Sequence, residues 1–264
     1  LDELVFFSIE PRPNGTLDTA RLKPTVVKQL GRLKQKYRLR LRLCIGGWDR
    51  SAAFAACTAD DASRARFIRQ MITFCQANAF DGVDLDWEHP KGPAQQRAYT
   101  RLIVETKKAF TPVRLSLTAA IAGWQQLSPT AAQSLDRIHL MSYDAEGRHS
   151  TLQQSRKDVN RLRQAGIPAD RICLGLPFYG RSLDKQRTAY TYAEIVRRFA
   201  PAPTVDETNG IYFNGSSTIR HKTRLAVSSG LAGVSIWEIG QDAPGPRSLL
   251  KVISESRRDP GGRP

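Results

Sequence analysis

Seven short apolar, β-branched runs alternate along this chain with longer stretches of helical period, and that alternation restricts the fold more than any other feature. The strand-like runs cover residues 4–9, 39–45, 80–87, 113–119, 137–143, 171–178 and 232–237. Between and after them, helical spacing predicts helices over residues 24–37, 60–78, 93–110, 128–135, 152–164, 218–228 and 247–256. Pro24 and Pro93 suit a first helical turn, and Asp60 and Ser128 suit N-caps. Strands that alternate with helices imply a parallel sheet covered by helices. Seven strands are one short of a closed eight-stranded α/β barrel, a fold that often fills about 250 residues. The expectation is one barrel domain over residues 1–256 and a Gly/Pro-rich tail over 257–264. Residues 182–217 form a small α+β insertion before the last helix and strand.

Composition removes other classes. Apolar residues make up 41% of the 264, and Gly (19) and Pro (15) are near average, which excludes a disordered or collagen-like chain. The longest apolar run, residues 52–57, is far short of the roughly 20 residues of a membrane span. The four Cys form no C-x-x-C pair, so zinc and thiol-exchange chemistry are not indicated, and four free, mostly buried thiols are expected. Lys and Arg number 40 against 25 Asp and Glu, a formal charge of +15. An acidic polymer or nucleic acid would suit such a charge, but no nucleic-acid motif accompanies it. The basic stretches 64–69 and 156–163 oppose apolar positions at helical spacing and read as solvated helix faces. The chain begins at Leu1 and carries no signal-peptide core, as expected of a processed or trimmed chain, and the expected setting is secreted or periplasmic.

The chemistry concentrates in the third strand, Phe80-Asp81-Gly82-Val83-Asp84-Leu85-Asp86-Trp87-Glu88. Strand side chains alternate, so Asp84, Asp86 and Glu88 share one face at about 6.6 Å intervals, with Val83, Leu85 and Trp87 opposite. In a parallel barrel the shared face is the interior, and Glu88 reaches the carboxyl-terminal rim where barrel active sites form. Three confined carboxyls cannot all ionise cheaply, so one is held protonated, as general acid catalysis requires. A calcium loop would want Gly where His89 follows, and a solvated strand would not carry the apolar face.

This segment resembles the D-x-x-D-x-D-x-E signature of glycoside hydrolase family 18, the chitinases and endo-β-N-acetylglucosaminidases. Cys44-Ile45-Gly46-Gly47-Trp48, Met141-Ser142-Tyr143-Asp144, Gly175 to Arg181 and Gly233 to Glu238 resemble the family's other strand ends, in order. The resemblance implies a (β/α)8 barrel whose first strand and helix would precede Leu1. It implies a retaining, substrate-assisted reaction without metal or cofactor, in a monomer. Glu88 is then the acid/base, Asp86 the residue that orients the acetamido group, Asp84 its support and Tyr143 a donor to the acetamido carbonyl. Trp237 would floor the cleaved sugar's subsite and Trp48 would stack further along. Met141, Asp144, Tyr179 and Arg181 would line the groove, while Phe7, Trp87 and Phe178 pack. Trp124 is open to either reading. Cys44 replaces the family's serine, which puts the support of Asp84 in doubt. The implied partner is an N-acetylglucosamine polysaccharide, chitin first. Peptidoglycan or N-glycans are the alternative, and a chitin-binding lectin a further one, although lectin relatives lose the acid that Glu88 retains.

Overall fold

The computed structural model describes residues 1–258, which divide into two compact units, Leu1–Ile121 with Gln125–Ile138, and Ala122–Trp124 with the chain from His139 onward. The fold is α/β, of the barrel class that the alternation predicts, with parallel strands in each unit.

The first unit begins with β1 (Glu3–Pro11) and the short β2 (Leu17–Asp18), followed by α1 (Pro24–Tyr37) and β3 (Arg40–Gly46). A one-turn helix α2 (Phe54–Cys57) precedes α3 (Asp61–Ala77), β4 (Gly82–Asp86), α4 (Gly92–Phe110), β5 (Ser116–Ala122) and α5 (Pro129–Ser134). Its parallel strands run in the order β5-β4-β3-β1, and β2 pairs antiparallel with the end of β1. Asp60 and Ser128 accept from Ser63 and Ala131 N–H as N-caps, satisfying donors that the helix start leaves open. β5 begins three residues later than the pattern of the run 113–119 suggests. Arg114 takes φ 57° in the turn that closes α4, so Val113 and Arg114 belong to that turn.

One residue of an expected solvated face is corrected, while Arg66 and Arg69 on it are exposed as expected. Arg64 is buried, not solvated, because α3 turns it toward Glu105 on α4. Its guanidinium meets both Glu105 oxygens (2.8 and 2.9 Å), Asp61 (2.6 Å) and the Thr58 carbonyl. Such a fork-to-carboxylate pair satisfies the charge that burial would otherwise penalise. Arg156, Lys157 and Arg163 on the other stretch are exposed as expected.

The strand β6 (Arg137–Met141) leads into the second unit, which holds α6 (Leu152–Gln164), β7 (Ile172–Pro177), β8 (Tyr179–Ser182), β9 (Ala189–Thr191) and α7 (Tyr192–Phe199). The remaining elements are β10 (Glu207–Thr208), β11 (Ile211–Tyr212), α8 (Ser216–Ser228), β12 (Gly233–Trp237) and α9 (Leu249–Arg258). β12 lies parallel to β7 in register, Gly233 opposite Cys173 and Trp237 opposite Pro177. The insertion is a small antiparallel sheet, β10-β11-β8-β9, carrying α7. Thr191 and Glu194 form a capping box that starts α7. α9 reaches two residues into the expected tail, and the rest of that tail lies outside the described residues. No helix among the described residues is long and apolar enough to cross a membrane.

Candidate active site

In the first unit, β4 is buried from end to end, and its two faces separate as strand geometry requires. Val83, Leu85 and Trp87 pack away from the carboxylates. The Trp87 ring stacks on Phe54 at 5.1 Å and meets Tyr99 edge-on at 5.4 Å. Asp84 and Asp86 are 3% and 5% exposed, whereas the Glu88 side chain opens to 15%. Two carboxyl groups are therefore enclosed and the third faces outward, the arrangement a donor to an incoming substrate needs.

The neighbouring strands explain how the row is held. Cys44 on β3 and Thr118 on β5 flank Asp84 in register, and the Thr118 hydroxyl donates to Asp84 Oδ1. The hydroxyl that Cys44 cannot provide thus comes from the opposite strand. Burial, and then the nearby charges of Asp86, Asp84 and Glu88, push the Cys44 thiol well above its usual range, so it stays protonated. Past β3 the chain turns through Gly46 (φ 100°) and Gly47 (φ 108°). A Cβ on Gly46 would lie 2.2 Å from the Asp86 carbonyl, and one on Gly47 would lie 2.4 Å from the Phe7 ring. Only glycine permits this approach. It lets Gly47 N–H reach Asp86 O at 2.7 Å.

Ser51 completes the support. Its hydroxyl donates toward Gly47 O and Asp86 O, both at 3.1 Å, and accepts the Glu88 N–H at 2.9 Å. His89 places Nε2 3.5 Å from Glu88 Oε2, and its Nδ1 pairs with Gln125 Oε1 at 3.1 Å. Burial holds the His89 pKa below its usual value against the Gln125 bond. Trp48, one residue beyond the glycines, is 68% exposed. Among the described residues no three or more His, Cys, Asp or Glu converge as metal ligands would. A hollow of about 300 Å³ between α2 and α4 is lined by four alanines with Thr58, Gln95, Arg97 and Arg101, and offers no carboxylate.

In the second unit, Tyr143 and Asp144 follow β6, and Asp144 adopts φ 64°. The Tyr143 ring packs edge-on to Tyr179 at 6.2 Å, across Gly175, where a Cβ would fall 2.8 Å from Tyr143 Cε1. Arg181 donates to Asp144 Oδ1 and lies over the Tyr179 ring at 5.4 Å. Asp144, Tyr179, Arg181, Tyr190, Trp237 and Gln241 line a cavity of about 180 Å³. Four of the groove residues expected from the sequence are thereby together, with half-buried Met141 at the end of β6. Trp124 is 66% exposed, its carbonyl accepting from Arg161 at 2.8 Å, while Phe178 is fully buried as a packing residue.

A model of the glycosyl hydrolases of family 18 matches residues 4–242. The chain belongs to glycosyl hydrolase family 18. It is 26% identical to probable chitinase 2 of Drosophila melanogaster, the match covering 81% of this chain and 58% of that protein. It is 31% identical to mouse chitotriosidase-1 over 67% of this chain and 47% of the relative. The chain therefore spans less than two thirds of either relative's length. Among solved structures, the GH18 chitinase ChiB of Flavobacterium johnsoniae superposes with a TM-score of 0.88. Its sequence is 26% identical, and the match covers 98% of this chain and 87% of that one.

The site's supporting residues were less visible in the sequence than its carboxylates. Thr118 carried a weak signal, as the one polar residue in the run Leu117-Thr118-Ala119-Ala120-Ile121. Ser51 and Gln125 lie in loops with no periodicity to single them out, and their roles emerge only from the meeting of loop and strand end.

Proposed function

We propose that this family 18 chain hydrolyses β-1,4-linked N-acetylglucosamine polymers, chitin or its oligomers, by a retaining, substrate-assisted route. The observation that carries the reading is the carboxylate row on β4, with Asp84 and Asp86 enclosed and Glu88 facing out on a backbone clamped by Ser51. The chitinase names of the relatives and of the superposed structure support the same substrate.

In this scheme the Glu88 carboxyl gives its proton to the glycosidic oxygen as the bond from that oxygen to the anomeric carbon breaks. The sugar's own acetamido oxygen forms the new bond to that carbon, giving an oxazolinium ion. Asp86 accepts from the acetamido N–H and orients the group, with Asp84 and its Thr118 bond beneath. Tyr143 donates to the acetamido oxygen. Water then attacks the anomeric carbon, its proton passes to Glu88, and the ring opens with net retention, an exception to the two-carboxylate scheme. Trp237 and Trp48 act as stacking surfaces, Met141, Asp144, Tyr179 and Arg181 line the groove, and Trp124 offers a further exposed ring. The protein acts as a secreted or periplasmic monomer.

A second reading, an endo-β-N-acetylglucosaminidase on peptidoglycan, is favoured by one observation, the +15 charge, since that polymer is anionic. Hydrolysis of chitin oligomers and peptidoglycan side by side, wild type against Glu88→Gln, tests both. The substitution should remove about 3–5 kcal/mol of barrier lowering while oligosaccharide affinity persists. Retained turnover in Glu88→Gln would overturn the assignment of the acid. Binding of wild type without turnover would point to a lectin.

A further inference from the structure

The Tyr143–Asp144 turn stands on two feet, Ser142 and Ser150. Ala145 N–H bonds the His149 carbonyl at 3.1 Å within it, and the Ser150 hydroxyl donates to the Ser142 carbonyl at 2.7 Å, joining the feet. Everything that holds Ser150 therefore holds the turn. Its carbonyl accepts from Asn214 Nδ2 (2.8 Å), the Tyr212 hydroxyl (3.3 Å) and Lys222 Nζ (2.8 Å), and its hydroxyl accepts a second hydrogen of Lys222 at 2.6 Å. The third ammonium hydrogen goes to Asn214 Oδ1 at 2.8 Å. Lys222 is wholly buried, and none of these three acceptors is a carboxylate.

We infer that Lys222 is a positioning residue for the Tyr143–Asp144 turn, and that its ammonium form keeps the two feet joined. An apolar side chain would fill this place at lower cost in solvation, so packing does not explain a lysine here. Three N–H donors facing three neutral acceptors do. A neutral amine offers two hydrogens and a lone pair, so one acceptor must become a donor. Of the three, only the Ser150 hydroxyl carries a proton to give, and giving it releases the Ser142 carbonyl next to Tyr143. Proton loss at Lys222 is thus coupled to the turn.

The titration falls in an accessible range. Burial lowers the Lys222 pKa to about 7, against the opposing fields of Asp206, before β10, and Asp158 on α6. His149, on the turn itself, is held neutral by burial at about 4 and adds no charge above that pH.

The consequence for ligand binding rests on the proposed sugar site, and two experiments separate the two ideas. In the Glu88→Gln background, binding of tetra-N-acetylchitotetraose measured by calorimetry should weaken about tenfold from pH 6 to pH 8.5, a change of about 1.4 kcal/mol. Adding Lys222→Met should give the weak value at every pH, and Lys222→Arg, which stays charged, should remove the alkaline weakening. A pH-independent affinity with lysine in place, or the same pH dependence with methionine, would overturn the inference. Failure of every variant to bind the sugar would instead sink the proposed substrate. Hydrogen exchange then decides the inference alone: in the wild-type protein, residues 143–150 should lose protection above pH 7 after correction for intrinsic rates. Lys222→Met should show the loss at both ends of that range. Equal protection in both proteins at both ends would refute the coupling.

Discussion

Replacing Ser51 with alanine removes a single oxygen, and its cost can be worked from the bonds that oxygen makes. The two donor contacts, to Gly47 O and Asp86 O, share one hydrogen and count as one bond. Asp86 O keeps the Gly47 N–H at 2.7 Å, so it is not stranded. The loss falls on the Glu88 N–H, whose acceptor at 2.9 Å disappears. Stranding a buried donor costs about 1–3 kcal/mol, and because the Glu88 side chain is 15% exposed some water reaches it, which places the cost near 1–2 kcal/mol. With a denaturant slope of about 1–3 kcal/mol per molar urea, the unfolding midpoint should fall by about 0.3–2 M. The effect on turnover should be larger than that on stability suggests. Ser51 sets the backbone direction at Glu88, and a shift of about 1 Å in a reacting group costs up to about 100-fold. Ser8→Ala is the comparison, since it removes a hydroxyl bonded to Gly46 O at 2.7 Å without touching the Glu88 backbone. Urea titration and hydrolysis of chitin oligomers on both variants test the reasoning. Equal losses of kcat in the two, or no loss in Ser51→Ala, would refute it.

Three further outcomes are expected. Thr118→Val takes the hydroxyl from enclosed Asp84 and should cost about 1.5–3 kcal/mol in stability together with much of kcat, read by the same two assays; no change in either would mean Asp84 does not depend on that bond. His149, with its pKa lowered from 6.5 to about 4, binds its proton more readily when unfolded, so stability is full above pH 6.5 and is lost as pH falls toward 4. The loss is about 3 kcal/mol, and urea titrations at pH 7 and pH 4 should show His149→Phe lacking that component. All four thiols are free and buried, so a thiol reagent should react slowly with native protein and count four groups after denaturation; prompt reaction of the native protein would contradict their burial.

The elements most legible in the sequence were those whose periodicity is long and uninterrupted. The ranges 24–37 and 152–164 coincide with α1 and α6, because Pro24 and Thr151 fix the starts and an apolar stripe runs through each. β5 starts later than the pattern suggests because Val113 and Arg114 continue its apolar–polar alternation, although the chain there is still leaving α4 through a left-handed residue. α2 and β2 are too short for any period to register. Arg64 is buried for a different reason: helical spacing shows which residues share a face, but not that α4 brings Glu105 to meet it. At the site, the carboxylates were legible because they lie on one strand at a period of two. Thr118 and Lys222 were not, since their roles depend on partners 34 and 72 residues away in the chain.

The glycine pair at the end of β3 also sets where this protein can be varied. Both positions reject even a methyl group, one against the Asp86 carbonyl and the other against the Phe7 ring, so a combinatorial library that randomises them would fill with misfolded clones. Trp48, the very next residue, has two thirds of its surface in solvent and can take almost any side chain at little cost in stability. Three consecutive codons therefore change from intolerant to permissive in a single step. An engineer seeking altered polymer preference would saturate the third and leave the first two alone.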